Sequence, residues 1–395
     1  MANNKLAKFT LLAAIFCLAT VIIPASSYAV PNFARKTGLA CSSCHSSFPR
    51  LNAFGREFFR NGYVRTGETE PMFELSETAF LDKNLFGVLA KMRPYDKKDS
   101  GDSKIRAFHE IELFIAGSSG GVLGNNLSFF AEIEAEDETD FSLELAPFEA
   151  AYHFMPEFSI YFGNRSLADG DPFGTITNHG RVTRSKRVAF NQTFSSGNNP
   201  DAKKQGIAVK GTINDAFYYA ARIGTDNGDP EGEGEEDFAG RVAYIFPWCD
   251  HAFHIGGYYA DGKQAVVGAA GGTTDVDFTR WIIDAMYDTD DFTVIFAYQN
   301  ADDDTVAGGS ETNTGWYAEG SYYYRKDGNP LFVPTVRWDQ YETNDGNDDY
   351  SELTVQLAYY FKENIKAFVE YWNQVDTPDG VDDDSRWTVQ IEAGL

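Results

Sequence analysis

The 395-residue chain reads as an all-β fold that spans a membrane, and three observations carry that reading. After Ala29 no apolar run reaches the roughly 18–20 residues that a spanning helix needs, which excludes a helical membrane protein. From about Lys83 to Leu395 the chain is instead a series of alternating segments of about ten residues, rich in aromatics. Short turns and longer polar connections also alternate along this stretch, as they do when turns face one side of a membrane and loops the other. Together these predict an antiparallel outer-membrane β-barrel of about 16 strands over residues 81–395, preceded by a small helical segment.

Residues 1–29 have the form of a secretory signal. Lys5 and Lys8 give the positive start, Phe9 to Ile23 the apolar stretch, and Ser27-Tyr28-Ala29 a small–x–small cleavage pattern. Phe16 precedes Cys17 where a lipoprotein signal wants a small residue, so lipidation is not expected.

Residues 30–80 form the next segment, centred on Cys41-Ser42-Ser43-Cys44-His45. Two cysteines two residues apart, followed at once by histidine, is the attachment pattern of a c-type haem. Each thiol would add to one vinyl group of the porphyrin, and the adjacent imidazole of His45 would ligate the iron. A zinc site would want further Cys or His at close spacing, and a disulfide would leave His45 unexplained. Export agrees with haem, because c-type haem is attached outside the cytoplasmic membrane. Downstream, Ser47 and Pro49 predict a helix N-cap and first turn. Leu51, Phe54, Phe58 and Phe59 recur at helical spacing, and Gly62 is placed to end the helix. The aromatic face would seal one side of a haem pocket.

Pro31-Asn32-Phe33-Ala34-Arg35-Lys36-Thr37-Gly38, the CxxCH, Pro49-Arg50-Leu51, Phe54-Gly55-Arg56 and Asn61-Gly62-Tyr63 together resemble the fused monohaem cytochrome–porins of iron-oxidising bacteria. The resemblance covers Val30 to Tyr63. It implies an outer-membrane iron oxidase with one haem c held by Cys41, Cys44 and His45. Extracellular Fe(II) would be the donor, and a periplasmic c-type cytochrome or similar carrier the acceptor.

The barrel strands are read from faces. Thr293, Ile295, Ala297 and Gln299 alternate with Phe292, Val294, Phe296 and Tyr298, and Thr354 to Phe361 and Thr388 to Ala393 repeat the pattern. Tight turns fall at 155–157, 214–215, 247–250, 288–291, 326–329 and 362–364, and long loops at 226–237, 261–274, 301–312, 344–349 and 377–384. Strand parity makes Asn164 to Lys203 one external connection, long enough to fold into the lumen or to carry a hairpin of its own. A soluble β-sandwich fits less well with the length, the short–long alternation and the lack of a domain boundary. The C-terminal Ala393-Gly394-Leu395 departs from the terminal aromatic common in such barrels.

For a sixth iron ligand the candidates are Met72, Met92, His109, His153, Met155 and His179; Met72 follows the motif in the linker. His153 and Met155 share a strand face with Glu149, a phase that points them into the lumen. The register of His109 is open. Acidic runs at 136–138, 231–237, 302–304, 348–349 and 382–384 would either gather Fe(II) at the barrel mouth or form a solvated surface holding Ca²⁺ or Mg²⁺. Cys249 would be an idle thiol in a periplasmic turn. The net charge of −26 argues against nucleic acid as a partner. Two functions from different classes follow: electron transfer from Fe(II) or another donor, and a porin for small or cationic solutes with a haem-containing plug.

Overall fold

The computed structural model describes residues 32–65, 85–119, 126–191, 198–226, 236–246, 251–267, 273–343 and 345–395. The signal, Met72, Cys249 and most of the 231–237 acidic run lie outside the described residues. The barrel begins with β1 (Phe86–Lys98), β2 (Lys104–Ser119), β3 (Asn126–Glu136), β4 (Leu143–Met155) and β5 (Phe158–Gly163). It continues with β6 (Lys204–Ile213), β7 (Phe217–Asp226), β8 (Asp237–Ile245), β9 (Ala252–Val267), β10 (Thr273–Asp288) and β11 (Phe292–Asp304). The last five are β12 (Ser310–Tyr322, prolonged by Tyr324–Lys326), β13 (Asn329–Thr343), β14 (Asp348–Lys362), β15 (Ile365–Asp376) and β16 (Ser385–Gly394).

Each strand pairs antiparallel with its sequence neighbours, and β16 pairs with β1, so the sheet closes into a 16-stranded barrel, the 324–326 piece counting with β12. The seam is finished by Leu395, which exchanges backbone hydrogen bonds with Val88 at 2.8 and 3.0 Å. Closure leaves no strand edge unpaired, the condition for a sheet to stand in lipid. Along β11 the expected alternation holds: Thr293, Ile295, Ala297 and Gln299 are buried inward, while Phe292, Val294 and Phe296 are exposed outward.

Three loops are shorter than expected, the one at 344–349 because β14 begins at Asp348. β9 and β10 run on to Val267 and back from Thr273, so most of 261–274 is strand. β11 likewise extends through Asp304, which takes the 302–304 run out of the external loop and into the wall. Asp303 is buried and ion-paired with Arg280, and Asp302 accepts a 2.7 Å hydrogen bond from Thr312 Oγ1.

β5 and β6 are joined by one connection, as parity requires, and its described residues, 164–191 and 198–203, fold back into the lumen. Asp284 on β10 accepts from Thr175 Oγ1 at 2.5 Å, and Tyr317 on β12 donates to the Thr175 carbonyl at 2.6 Å. Glu370 on β15 accepts from the backbone amides of Arg184 and Ser185 at 2.6 and 2.9 Å. Leu167, Phe173, Ile176 and Phe190 of the connection bury themselves among lumen-facing Tyr218, Ile282, Met286 and Tyr317. A one-turn helix, Val188–Asn191, carries Phe190 to its edge-on contact with Tyr317.

Candidate functional site in the barrel lumen

The N-terminal segment sits inside the barrel at the end where the short turns lie. It contains α1 (Asn32–Thr37), α2 (Cys41–Cys44) and α3 (Ala53–Arg60). Between α2 and α3 the chain folds back, with His45–Ser47 pairing against Arg50–Leu51. α3 starts at Ala53, not near Ser47 and Pro49. Asn52 is its N-cap, accepting from Gly55 N at 2.9 Å, and the backbone at Ser47 is committed to the short ladder. The helix ends as Gly62 predicts: Gly62 N bonds to Phe59 O and Tyr63 N to Phe58 O, with Gly62 at φ +66°. Phe33, Phe58 and Tyr63 pack on Leu85 and Phe86 at the barrel entrance.

Polar bonds to β2, β10, β12, β14 and β15 fix the segment to the wall. Arg50 pairs with buried Glu319 and donates to Ser321 Oγ and Tyr323 Oη, both at 3.1 Å. Arg56 reaches Asp288 at 3.1 Å. Ser47 Oγ meets Tyr360 Oη at 2.7 Å, and Lys366 Nζ donates to the Phe48 carbonyl at 2.8 Å. Asn32 Nδ2 donates to Ala116 O at 2.8 Å.

Cys41, Cys44 and His45 line a cavity of about 1250 Å³ that climbs the lumen to Glu138 and Asp201. Phe48, Leu51, Phe54, Phe58 and Phe59 give its lower part an apolar wall. Both thiols are free. Burial, aided by Glu363 and Cys44, pushes the Cys41 thiol up to about 11, and burial raises Cys44 too, so both stay protonated. Cys41 N is held by Glu363 at 2.7 Å, and Asn52 Nδ2 donates to the carbonyls of Ser42 and Ser43 at 3.2 and 3.0 Å. Desolvation holds His45 near 4, against the pull of the Pro49 carbonyl, so its ring is neutral at ordinary pH. Nδ1 lies 3.0 Å from Pro49 O and donates to it, which leaves Nε2 as the lone-pair nitrogen. That arrangement, a backbone acceptor fixing the tautomer of a metal-binding imidazole, is the usual outer-shell support of a metal ligand. The two thiols, the imidazole and the cavity therefore fit a covalently attached haem.

The distal candidates separate. His153 points into the lumen as its phase predicts, but both ring nitrogens are used, by Ser128 Oγ at 2.7 Å and Ser159 Oγ at 2.9 Å. It also abuts Gly62, where a Cβ would collide with the imidazole. Met155 is half exposed instead of lumenal, because the β4–β5 pairing shifts register between His153 and Met155 and the alternation ends there. Met92 is not among the residues lining the cavity, whereas His179 and His109 are. A register shift in the β1–β2 pairing breaks the alternation and turns His109 inward, against Asp137 at 2.8 Å.

Sequence reading missed the wall above the plug. Glu110 and Glu112 on β2 and Glu132, Glu134 and Glu136 on β3 all line the cavity. The signal was present in Glu132-Ile133-Glu134-Ala135-Glu136, where acidic and apolar residues alternate at strand period.

A family profile described as Gram-negative porin matches residues 121–378, which begins beyond the plug. Comparison with curated proteins finds no match. Among solved structures, the anion-selective porin from Comamonas acidovorans is similar over 78% of this chain and 98% of its own, with TM-score 0.61 and 14% identity. OmpF of Salmonella typhi, solved with daunomycin, covers 78% and 97% at TM-score 0.60 and 15% identity. OprB of Pseudomonas putida covers 78% and 93% at TM-score 0.60 and 8% identity. These likenesses agree with the fold, the short turns correspond to the periplasmic side, and the location is the outer membrane. On the profile match, which spans well over half of it, this chain belongs to the Gram-negative porin family.

Proposed function

We propose that this porin-family chain is an outer-membrane electron-transfer protein that oxidises extracellular Fe(II) to Fe(III) and passes the electron to a periplasmic c-type cytochrome or similar carrier. Cys41 and Cys44 would hold one haem c by thioether bonds, and His45 would ligate its iron. The observation that supports the reading is the placement of Cys41, Cys44 and His45 on one lumen cavity, with His45 Nδ1 donating to the Pro49 carbonyl so that Nε2 carries the lone pair. Bound there, a haem supplies a one-electron redox centre. The residues do the rest. Phe48, Phe54 and Phe58 keep water from the lower cavity, Pro49 holds the imidazole tautomer, and Glu363 and Asn52 fix the backbone that presents both thiols. The choice of Fe(II) as donor comes from the resemblance of Val30–Tyr63 and from the carboxylates above the plug, which suit a hard divalent cation.

In-gel peroxidase staining after denaturation tests the cofactor. The parent should stain, and Cys41→Ser with Cys44→Ser should not; covalent haem retained in the double variant refutes the assignment. Stopped-flow reduction by Fe(II) in detergent then tests the donor. A second reading, a porin for small or cationic solutes, is favoured by the family match itself. Planar-bilayer conductance separates the two, since a barrel closed by its plug should pass few ions.

A further inference from the structure

We infer that Glu110, Glu112 and Glu134 form a divalent-cation site in the barrel wall, one level outward of the plug. The inference goes beyond the proposed function, because it requires no bound cofactor. In the β2–β3 register Glu112 stands directly opposite Glu134, and Glu110 opposite Glu136. Like charges directly opposed across strands destabilise a sheet. Two such pairs in succession therefore call for a neutralising cation. One carboxylate oxygen from each of Glu110, Glu112 and Glu134 lies within 4.8 Å of the others, a spacing a single small ion can bridge.

Among the described residues His109 Nε2 lies 3.8 Å from Glu110, and the ammonium in contact is that of Lys91 on β1, at 2.8 Å from Glu110 and 2.5 Å from Glu112. Its single charge cannot balance three carboxylates. A separate observation points to a ligand. Glu132, the next lumen-facing residue on β3, is only 8% exposed, lines the same cavity, and has no hydrogen bond or ion pair among the described residues. A buried carboxylate without a partner is costly unless it is paired or coordinates a metal. All-oxygen donors suit Ca²⁺, Mn²⁺ and Mg²⁺, and accept Fe²⁺ on the same terms. On β2, Glu112 lies four residues outward of Ala116, whose carbonyl receives Asn32 of the plug. At ~3.4 Å per residue that is about 14 Å along the strand. An ion there would sit between the outside and the motif at Cys41–His45, in the cavity they share.

The test is Mn²⁺ titration of the detergent-held full chain, reading free Mn²⁺ by electron paramagnetic resonance. One saturable site is expected, competed by Ca²⁺. Glu112→Gln with Glu134→Gln should weaken binding at least tenfold, whereas Asp382→Asn with Asp383→Asn should leave it unchanged. Lys91→Met removes the competing ammonium and should tighten binding severalfold. Absence of saturable binding, or a glutamine variant that binds like the parent, overturns the site. Heat-modifiable gel mobility reports whether each variant folds. If the glutamine pair does not fold, Lys91→Met decides, and an unchanged affinity there overturns the proposal. Repeating the titration on the Cys41→Ser, Cys44→Ser protein keeps this result independent of the haem reading.

Discussion

Gly55 is pressed so closely against the Cys44 carbonyl that a Cβ would overlap it. The first turn of α3 can lie on the CxxCH only because this position has no side chain. Gly55→Ala should push α3 away from Cys44 and cut the haem stain by at least half, while the barrel still shows heat-modifiable mobility. Arg50 works from the other side of the motif, as a buried charge whose partners all belong to the wall. Truncating one member of a buried pair costs about 3–5 kcal/mol because the other charge is stranded. Arg187 and Arg337, each 3.7 Å from Glu319, soften that loss. Arg50→Ala should therefore loosen the plug without unfolding the barrel, seen as faster proteolysis of the N-terminal segment and a higher bilayer conductance. Among single residues, Cys41, Cys44 and His45 stood out by their spacing alone, and all three line the lumen cavity. Arg50 was not, since its partners lie some 270 positions away (|i−j| of 269 to Glu319) and only the fold brings them together.

At the scale of elements, faces were legible and ends were not. Period-two alternation located the strands, and the alternation of short turns with long loops made 164–203 a single connection, because one extra crossing there would put every later turn on the wrong side of the membrane. The lengths of β9, β10 and β11 were misjudged, since polar residues such as Asp303 can continue a strand when a lumen partner such as Arg280 receives them. The helix start was misjudged for a related reason: Ser47 resembles a cap, but Tyr360 claims its hydroxyl. Two measurements follow. Tags in the exposed 382–383 loop should be reached by antibody on intact cells, and tags at Asp327-Gly328 should not; the reverse would invert the barrel. Asp303→Asn should lower the stability of the barrel measurably in thermal unfolding, while Asp382→Asn with Asp383→Asn should change it by less than about 0.5 kcal/mol, the usual limit for exposed sites. Equal effects of the two changes would contradict the placement of Asp303 in the wall.

Taken whole, the molecule has an apolar outer face, and its interior sets a lattice of ion pairs around the apolar cluster of Leu167, Phe173, Ile176 and Phe190. Arg241 between Asp171 and Asp284, Arg337 on Asp339, and Lys366 on Glu392 occupy ground that a soluble domain fills with aliphatic side chains. Composition hinted at this in the net charge of −26, but not where the charges sit. The plug and the lumenal connection fit because both bring groups complementary to those facing them.

The seam between β1 and β16 sets an order of events in time. Residues 32–65 leave the export channel before any strand, yet the wall that grips them through Glu319, Tyr360 and Lys366 belongs to the last third of the chain. The hoop cannot be drawn shut until Ser385–Gly394 and Leu395 arrive beside Phe86–Lys98. A haem on Cys41 and Cys44, as proposed, would therefore have to be joined while the segment is still loose in the periplasm, and the barrel would close around a finished insert.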